Sequence, residues 1–350
     1  MKKSFWIGLT KYVVGLALLA YVVSINWDRP PGAGLKAALA RPVQWLPILA
    51  AGALLGAAAL VTFYRWWILV RALGMEFSLG NAIRLGLVGY FFNTMLPGGV
   101  GGDIVKAVGI AREQTRRALA ISTVLFDRAV GLWALVWLVA LSGGAYWLLA
   151  DPEGNLLATN AGVAAIVRTC WLITIGTVAG WWALGLVSER ADHRFAARLA
   201  TVPKAGRFLS ECWRATWLYR RHPWAVIVTL AMSIGVHALN VLAFSAAAHV
   251  FVPPADVADL PGLASNFLVV PVGMAVQAFF PTPGGVGGSE YGYGMLYKLL
   301  GKPEAFGVLA SLAQRVLQWA LGLTGYLVYL RMRPPTPAET HRQPAEVGAE

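Results

Sequence analysis

Pro97-Gly98-Gly99-Val100-Gly101-Gly102-Asp103 and Pro283-Gly284-Gly285-Val286-Gly287-Gly288-Ser289-Glu290 are the two stretches on which the reading of this chain turns. Their first six residues are identical, and an acid closes each copy, Asp103 at once and Glu290 one residue later. An arginine, Arg128 or Arg315, follows 25 residues beyond each acid inside an apolar run. Each loop also cuts an apolar region in two, 79–111 in the first case and 262–300 in the second. As helices, arms 79–92, 103–111 and 289–300 would reach about 21, 14 and 18 Å, short of the roughly 30 Å of bilayer hydrocarbon. Arm 262–280 comes closer but holds Pro271 in its interior, where proline removes a helical hydrogen bond. Two re-entrant helical hairpins are therefore expected. Irregular backbone at that depth is tolerated only against protein or a watery cavity.

Around the loops, six runs are long and apolar enough to cross: 5–25, 45–70, 118–141, 164–187, 223–252 and 305–330. Apolar and aromatic residues make up 57% of the 350, charged residues 13%, and mean hydropathy is +0.60. Such composition belongs in lipid. The expected fold class is an all-α polytopic membrane protein with about six full transmembrane helices, two re-entrant hairpins and an inverted-topology repeat. The start, Met1-Lys2-Lys3 before an apolar run, resembles a signal peptide but lacks a small-residue cleavage site, so it reads as an uncleaved first helix.

The net charge of +12 comes from basic residues scattered between apolar spans. That pattern speaks for cytoplasmic loops facing anionic lipid rather than for nucleic acid. With both termini cytoplasmic, 20 of the 29 basic residues fall inside and 6 outside, leaving Lys106, Arg128 and Arg315 embedded. The first hairpin then opens to the cytoplasm and the second to the outside. The same span–hairpin–span unit occurs twice in opposite orientation, at about 45–141 and about 223–330, which is the plan of many transporters. Residues 1–333 are expected to form one integral membrane domain. It includes a basic cytoplasmic linker at 188–222, which Pro203 and Gly206 split into two short helices. Residues 334–350, rich in Pro, Glu and Ala, are expected to be a disordered tail. Cys170 and Cys212 have no metal-ligand spacing and indicate neither a disulfide nor a zinc site.

Ionisable groups within spans are costly and point to function. Asp103 and Glu290 either cap the helical arms they open or handle a ligand or proton. The loop glycines Gly98, Gly99, Gly101, Gly102, Gly284, Gly285, Gly287 and Gly288 would let backbone N–H groups approach an anion. Arg128 and Arg315 offer planar forks suited to phosphate. An equally open reading is an internal bridge, Asp103 to Arg128 and Glu290 to Arg315, locking each hairpin to the next span. Asp127 points roughly 100° away from Arg128 on a helix and is no automatic partner; Gln314 takes its place beside Arg315. Lys106, one turn past Asp103, is a further candidate for the same cavity. Asn93, Gln277, His237 and Asn240 read as interhelical hydrogen-bonding groups. No nucleotide loop, nucleophile elbow or metal motif occurs, and neither a cofactor nor a metal is expected.

Residues 93–103 with Asp127-Arg128, and residues 281–290 with Arg315, resemble the membrane domain of bacterial lysylphosphatidylglycerol synthases and its stand-alone, flippase-like relatives. The resemblance covers roughly 10–330. In the two-domain synthases this part is linked to moving an aminoacylated lipid to the outer leaflet, while a separate soluble domain makes it. The resemblance implies a translocase for a phospholipid or lipid-linked head group in the bacterial inner membrane, with the arginines, acids, Lys106 and glycines at the substrate and Asn93, Asp127, Gln277 and Gln314 behind them. The chain ends soon after its last span, so aminoacyl transfer by it is not expected. The partners expected are membrane lipids, with a second copy or a lipid-synthesis enzyme as open protein partners. A membrane enzyme on a lipid-linked substrate and an ion-coupled solute carrier are the alternatives.

Overall fold

A computed structural model describes residues 2–28, 34–96, 99–149, 156–186, 189–203, 206–252 and 254–332. Pro97, Gly98, the expected tail at 334–350 and the side chain of Cys212 lie outside the described residues. No β-strand occurs among the described residues. In chain order the helices are α1 (Lys2–Asn26), α2 (Leu35–Leu39), α3 (Trp45–Ala72), α4 (Leu79–Met95), α5 (Gly101–Glu113), α6 (Arg117–Leu149) and α7 (Leu156–Thr159). They continue as α8 (Ala161–Leu186), α9 (Glu189–Ala200), α10 (Gly206–Arg220), α11 (Pro223–Ala248), α12 (Leu263–Phe279), α13 (Gly288–Leu299) and α14 (Glu304–Arg331).

Six of these, α1, α3, α6, α8, α11 and α14, are long and apolar enough to cross a membrane, at the six places the hydropathy pattern marks. Their ends follow local chemistry. Pro223 opens α11, where a missing N–H costs nothing. Ser78 caps α4 by accepting from the Asn81 N–H at 3.1 Å. Large apolar side chains such as Leu46, Trp182 and Leu186 point outward, as expected of helices solvated by lipid rather than water.

The two loop regions each form a pair of shorter helices, α4 with α5 and α12 with α13, whose members pack on each other. At 12 to 17 residues these arms are about 18 to 26 Å long. Pro271 is buried within α12, which continues past it. The packing partners correspond between halves: α3 lies along α11, α4 against α14 and α6 against α12, while α5 packs on α6 and α13 on α14. α1 crosses both loop tips, with Tyr12 Oη donating to the Met95 carbonyl at 2.5 Å and Gly15 against Thr282 and Val286. The 188–222 region contains α9 and α10, packed together; α10 is tied to the bundle by Tyr219, which stacks on Phe126 and donates to the Leu69 carbonyl at 2.9 Å.

The contact of α4 with α5 depends on Gly102. A β-carbon there would sit 1.8 Å from the Gly89 carbonyl oxygen, a rigid backbone atom on the facing helix. Gly102→Ala should therefore separate the two arms and cost about 2 kcal/mol or more, read as a lowered melting temperature in detergent micelles.

Candidate functional site

Two clusters of charged residues form, one per half, and they meet at the loop tips. In the first, Arg128 Nη1 donates to the Gly99 carbonyl at 2.8 Å and to Asp103 Oδ2. The Arg128 side chain stays 30% exposed and that of Asp103 16%. Beneath this pair lies a denser network. Arg65 Nε donates to Asp127 Oδ1 at 2.8 Å and its Nη1 to Ser233 Oγ at 2.7 Å, while Lys106 Nζ reaches Asp127 Oδ2 at 3.1 Å. The Lys106 ammonium also sits 4.4 Å from the centre of a Trp66 ring. Arg65, Lys106 and Asp127 are all buried.

In the second cluster, Glu290 is fully buried and Arg315 nearly so. Arg315 Nε donates to Glu290 Oε1 at 2.8 Å, its Nη2 lies 2.7 Å from the same oxygen, and its Nη1 donates to the Gly284 carbonyl at 2.9 Å. Ser311 Oγ donates to Oε1 at 3.1 Å, and the Gly287 N–H to Oε2 at 2.7 Å. Gly287 holds φ at +82°, a left-handed conformation open to glycine, and this aims its N–H back at the carboxylate. Glu290 thus both caps α13 and locks it to α14. Its oxygens are occupied, which leaves it poorly placed as a general base. Ser289 lies within the same lock, with its Oγ 2.5 Å from Arg315 Nη2.

Two polar cavities border the tips. The first, about 340 Å³, is lined by Asp103, Lys106, Arg128, Arg65, Asp127 and His237, among others. Three cationic side chains face two carboxylates there, leaving one positive charge in excess. Among the described residues, Arg128 Nε and Nη2 have no protein partner. The second cavity, about 380 Å³, holds Arg315 among Asn93, Asn240, Gln277, Gln314 and Gln318. Tyr90, Asn93, Gly99 and Ala278 line both. The tips touch here: a β-carbon on Gly284 would lie 3.1 Å from the Thr94 carbonyl oxygen.

A family model for the lysylphosphatidylglycerol synthase TM region matches residues 9–325. The chain belongs to this family. Comparison with curated proteins gives no match, and neither does comparison with solved structures. Membership in the lysylphosphatidylglycerol synthase TM-region family and the six apolar helices make this a multi-pass membrane protein.

Of the two readings the sequence leaves open for the acids and arginines, the structure shows the bridge in both halves, Asp103 to Arg128 and Glu290 to Arg315, while Asp127 pairs elsewhere. Gly98 lies outside the described residues. Gly101, Gly102 and Gly288 sit where helices and side chains approach closely. The N–H groups of Gly102, Gly285 and Gly287 are already engaged, by Asn93 Oδ1, the Thr282 carbonyl and Glu290. Asn93 and His237 do bridge helices, His237 Nε2 lying 2.8 Å from the Gly131 carbonyl, whereas Asn240 bonds within its own helix to Val236. Arg65 is the main correction. The charge count assigns it to a cytoplasmic segment, but it is buried in α3 as the partner of Asp127. An arginine about three-quarters of the way along an apolar span is the signal the sequence offers. Lys106 lines the cavity with Asp103, but its ammonium bonds Asp127. Ser311, one helical turn before Arg315, was also missed.

Removing one partner of a buried pair leaves the other charge uncompensated. Glu290→Gln and Asp127→Asn should each cost about 3–5 kcal/mol. Asp103→Asn, beside the more exposed Arg128, should cost about 1 kcal/mol or less. Melting temperatures of the three variants in one detergent check this order.

Proposed function

We propose that this protein moves a lipid bearing a phosphate in its head group between the two leaflets of a bacterial inner membrane. The observation that carries the reading is the open edge of Arg128, turned into a cavity with one excess positive charge inside a multi-pass membrane protein. Guanidinium binds phosphate through two parallel charge-assisted hydrogen bonds, and a monoanionic phosphate would neutralise that cavity. Asp103 holds the arginine at the tip without covering it. The head group would occupy the polar cavities while its acyl chains stay in lipid. The description of the family, a synthase whose name carries a phosphatidylglycerol lipid, supports a lipid substrate.

In this reading the two halves stand in opposite orientation, termini on the cytoplasmic side, with the helix pairs entering from opposite faces. The first cavity then communicates with one leaflet and the second with the other, and their shared wall of Tyr90, Asn93, Gly99 and Ala278 is the barrier between them. Rocking of one half against the other opens each in turn. The Glu290–Arg315 lock keeps α13 and α14 moving as one body, and the Arg65–Asp127–Lys106 network does the same for α3, α5 and α6.

Reconstituted into vesicles containing a fluorescent phosphatidylglycerol, the wild type should expose inner-leaflet label to an external quencher faster than protein-free vesicles. Arg128→Ala should slow it about tenfold or more, the cost of losing a charge-assisted bond, with stability lowered by only about 1 kcal/mol, as for Asp103→Asn. Folded wild type no faster than empty vesicles would sink the proposal. Orientation is checked separately: single cysteines at Ser78 and Lys302, with Cys170 and Cys212 removed, should label from opposite faces of the membrane.

A further inference from the structure

The second cavity differs chemically from the first. Five carboxamides line it, Asn93, Asn240, Gln277, Gln314 and Gln318, with the half-exposed ring of Trp319 at its side. Among the described residues no Asp or Glu does so. Each carboxamide is anchored at one end, and the anchor fixes which end is which. Asn93 Oδ1 accepts from the Gly102 N–H at 2.8 Å, so its Nδ2 is left over. Asn240 Nδ2 donates to the Val236 carbonyl at 2.8 Å, leaving Oδ1. Gln277 Nε2 donates to the Gly284 carbonyl at 3.3 Å and Gln314 Nε2 to the Asn240 carbonyl at 3.4 Å, leaving two Oε1 acceptors. Gln318 Oε1 accepts from Gln277 at 3.4 Å, leaving Nε2.

The cavity therefore presents two donors and three acceptors with no protein partner among the described residues, and none is a sealed, unsatisfied atom. Five amides in one cavity of a chain this apolar are costly unless something polar occupies them. A hydroxyl both donates and accepts, so a mixed array of this kind matches a polyol. An ammonium would leave the Asn93 and Gln318 donors without acceptors and would face the Arg315 guanidinium. A bare phosphate would face the three acceptor oxygens.

We infer that the second cavity binds an uncharged polyhydroxyl group, glycerol or a hexose, as the outer part of a lipid head group. This rests on the translocation reading and deepens it: the phosphate is held at Arg128 while the head group is in the first cavity, and the carboxamides hold its hydroxyls once it has passed the shared wall into the second. The carboxamides set head-group specificity and the arginine supplies charge attraction. An aminoacylated, cationic head group is disfavoured in this cavity.

The test is binding, which does not require transport. Delipidated protein in detergent is titrated with phosphatidylglycerol, a monohexosyl diacylglycerol and phosphatidylethanolamine, and retained lipid is read by native mass spectrometry. The two hydroxyl-bearing lipids should be retained at least about fivefold better than phosphatidylethanolamine, the worth of one additional hydrogen bond. That preference should shrink in Gln277→Met and Gln318→Met, which keep side-chain length but lose the polar ends. Displacement of the lipids by free hexose would uphold the polyol chemistry and assign its source to a soluble sugar. Phosphatidylethanolamine retained as well as the others, or a preference unchanged in both folded variants, overturns the inference. Leaflet exchange by the same preparation scores translocation separately, so either idea can fail alone.

Discussion

A buried charge in a medium without water must find its counter-charge inside the protein, and the architecture follows from that constraint. Lipid cannot solvate Glu290, Asp127, Arg315, Arg65 or Lys106, and an unpaired ion at that depth costs several kcal/mol. Each is matched by a partner from a different helix: α13 to α14 through Glu290 and Arg315, and α3 to α6 to α5 through Arg65, Asp127 and Lys106. The apolar surfaces of these helices give little direction to their packing, because lipid is as apolar as they are. The ion pairs supply register.

Glycine makes such pairing reachable. Ion pairs need atoms within about 3 Å, while the acids stand at the start of short arms and the arginines on long helices. At Gly102 the arms approach until backbone touches backbone, and at Gly287 a left-handed residue aims an N–H at Glu290. The glycines serve geometry first. The amides of Gly102, Gly285 and Gly287 are spent on the protein itself, and the open positive charge is on the Arg128 side chain.

The halves use this common plan differently. In the second, the carboxylate is enclosed and the arginine's donors are spent on it, on Ser289 and on the Gly284 carbonyl. In the first, Asp127 takes over the buried pairing with Arg65 and Lys106 and leaves Arg128 at the cavity, held by Asp103 and the Gly99 carbonyl through one nitrogen. Gln314 where the first half has Asp127 is the sequence difference behind this asymmetry. It places net charge in one cavity and carboxamides in the other, and the proposed division between phosphate and hydroxyl recognition follows from it.

The number of long apolar helices, their positions and the paired loops were legible in the chain, because transfer of apolar residues into lipid depends on local composition and length alone. The 25-residue interval also marked the two acid–arginine pairs, since the halves repeat it. The partner of Asp127 was not legible. Arg65 lies 62 positions away, and a charge inside a span looks the same whether it snorkels to a surface or crosses to another helix. Nor did the sequence tell which arginine stays open, or that five amides from four helices converge on one cavity. Those are facts of distance between elements remote in sequence, and only the packing of the helices decides them.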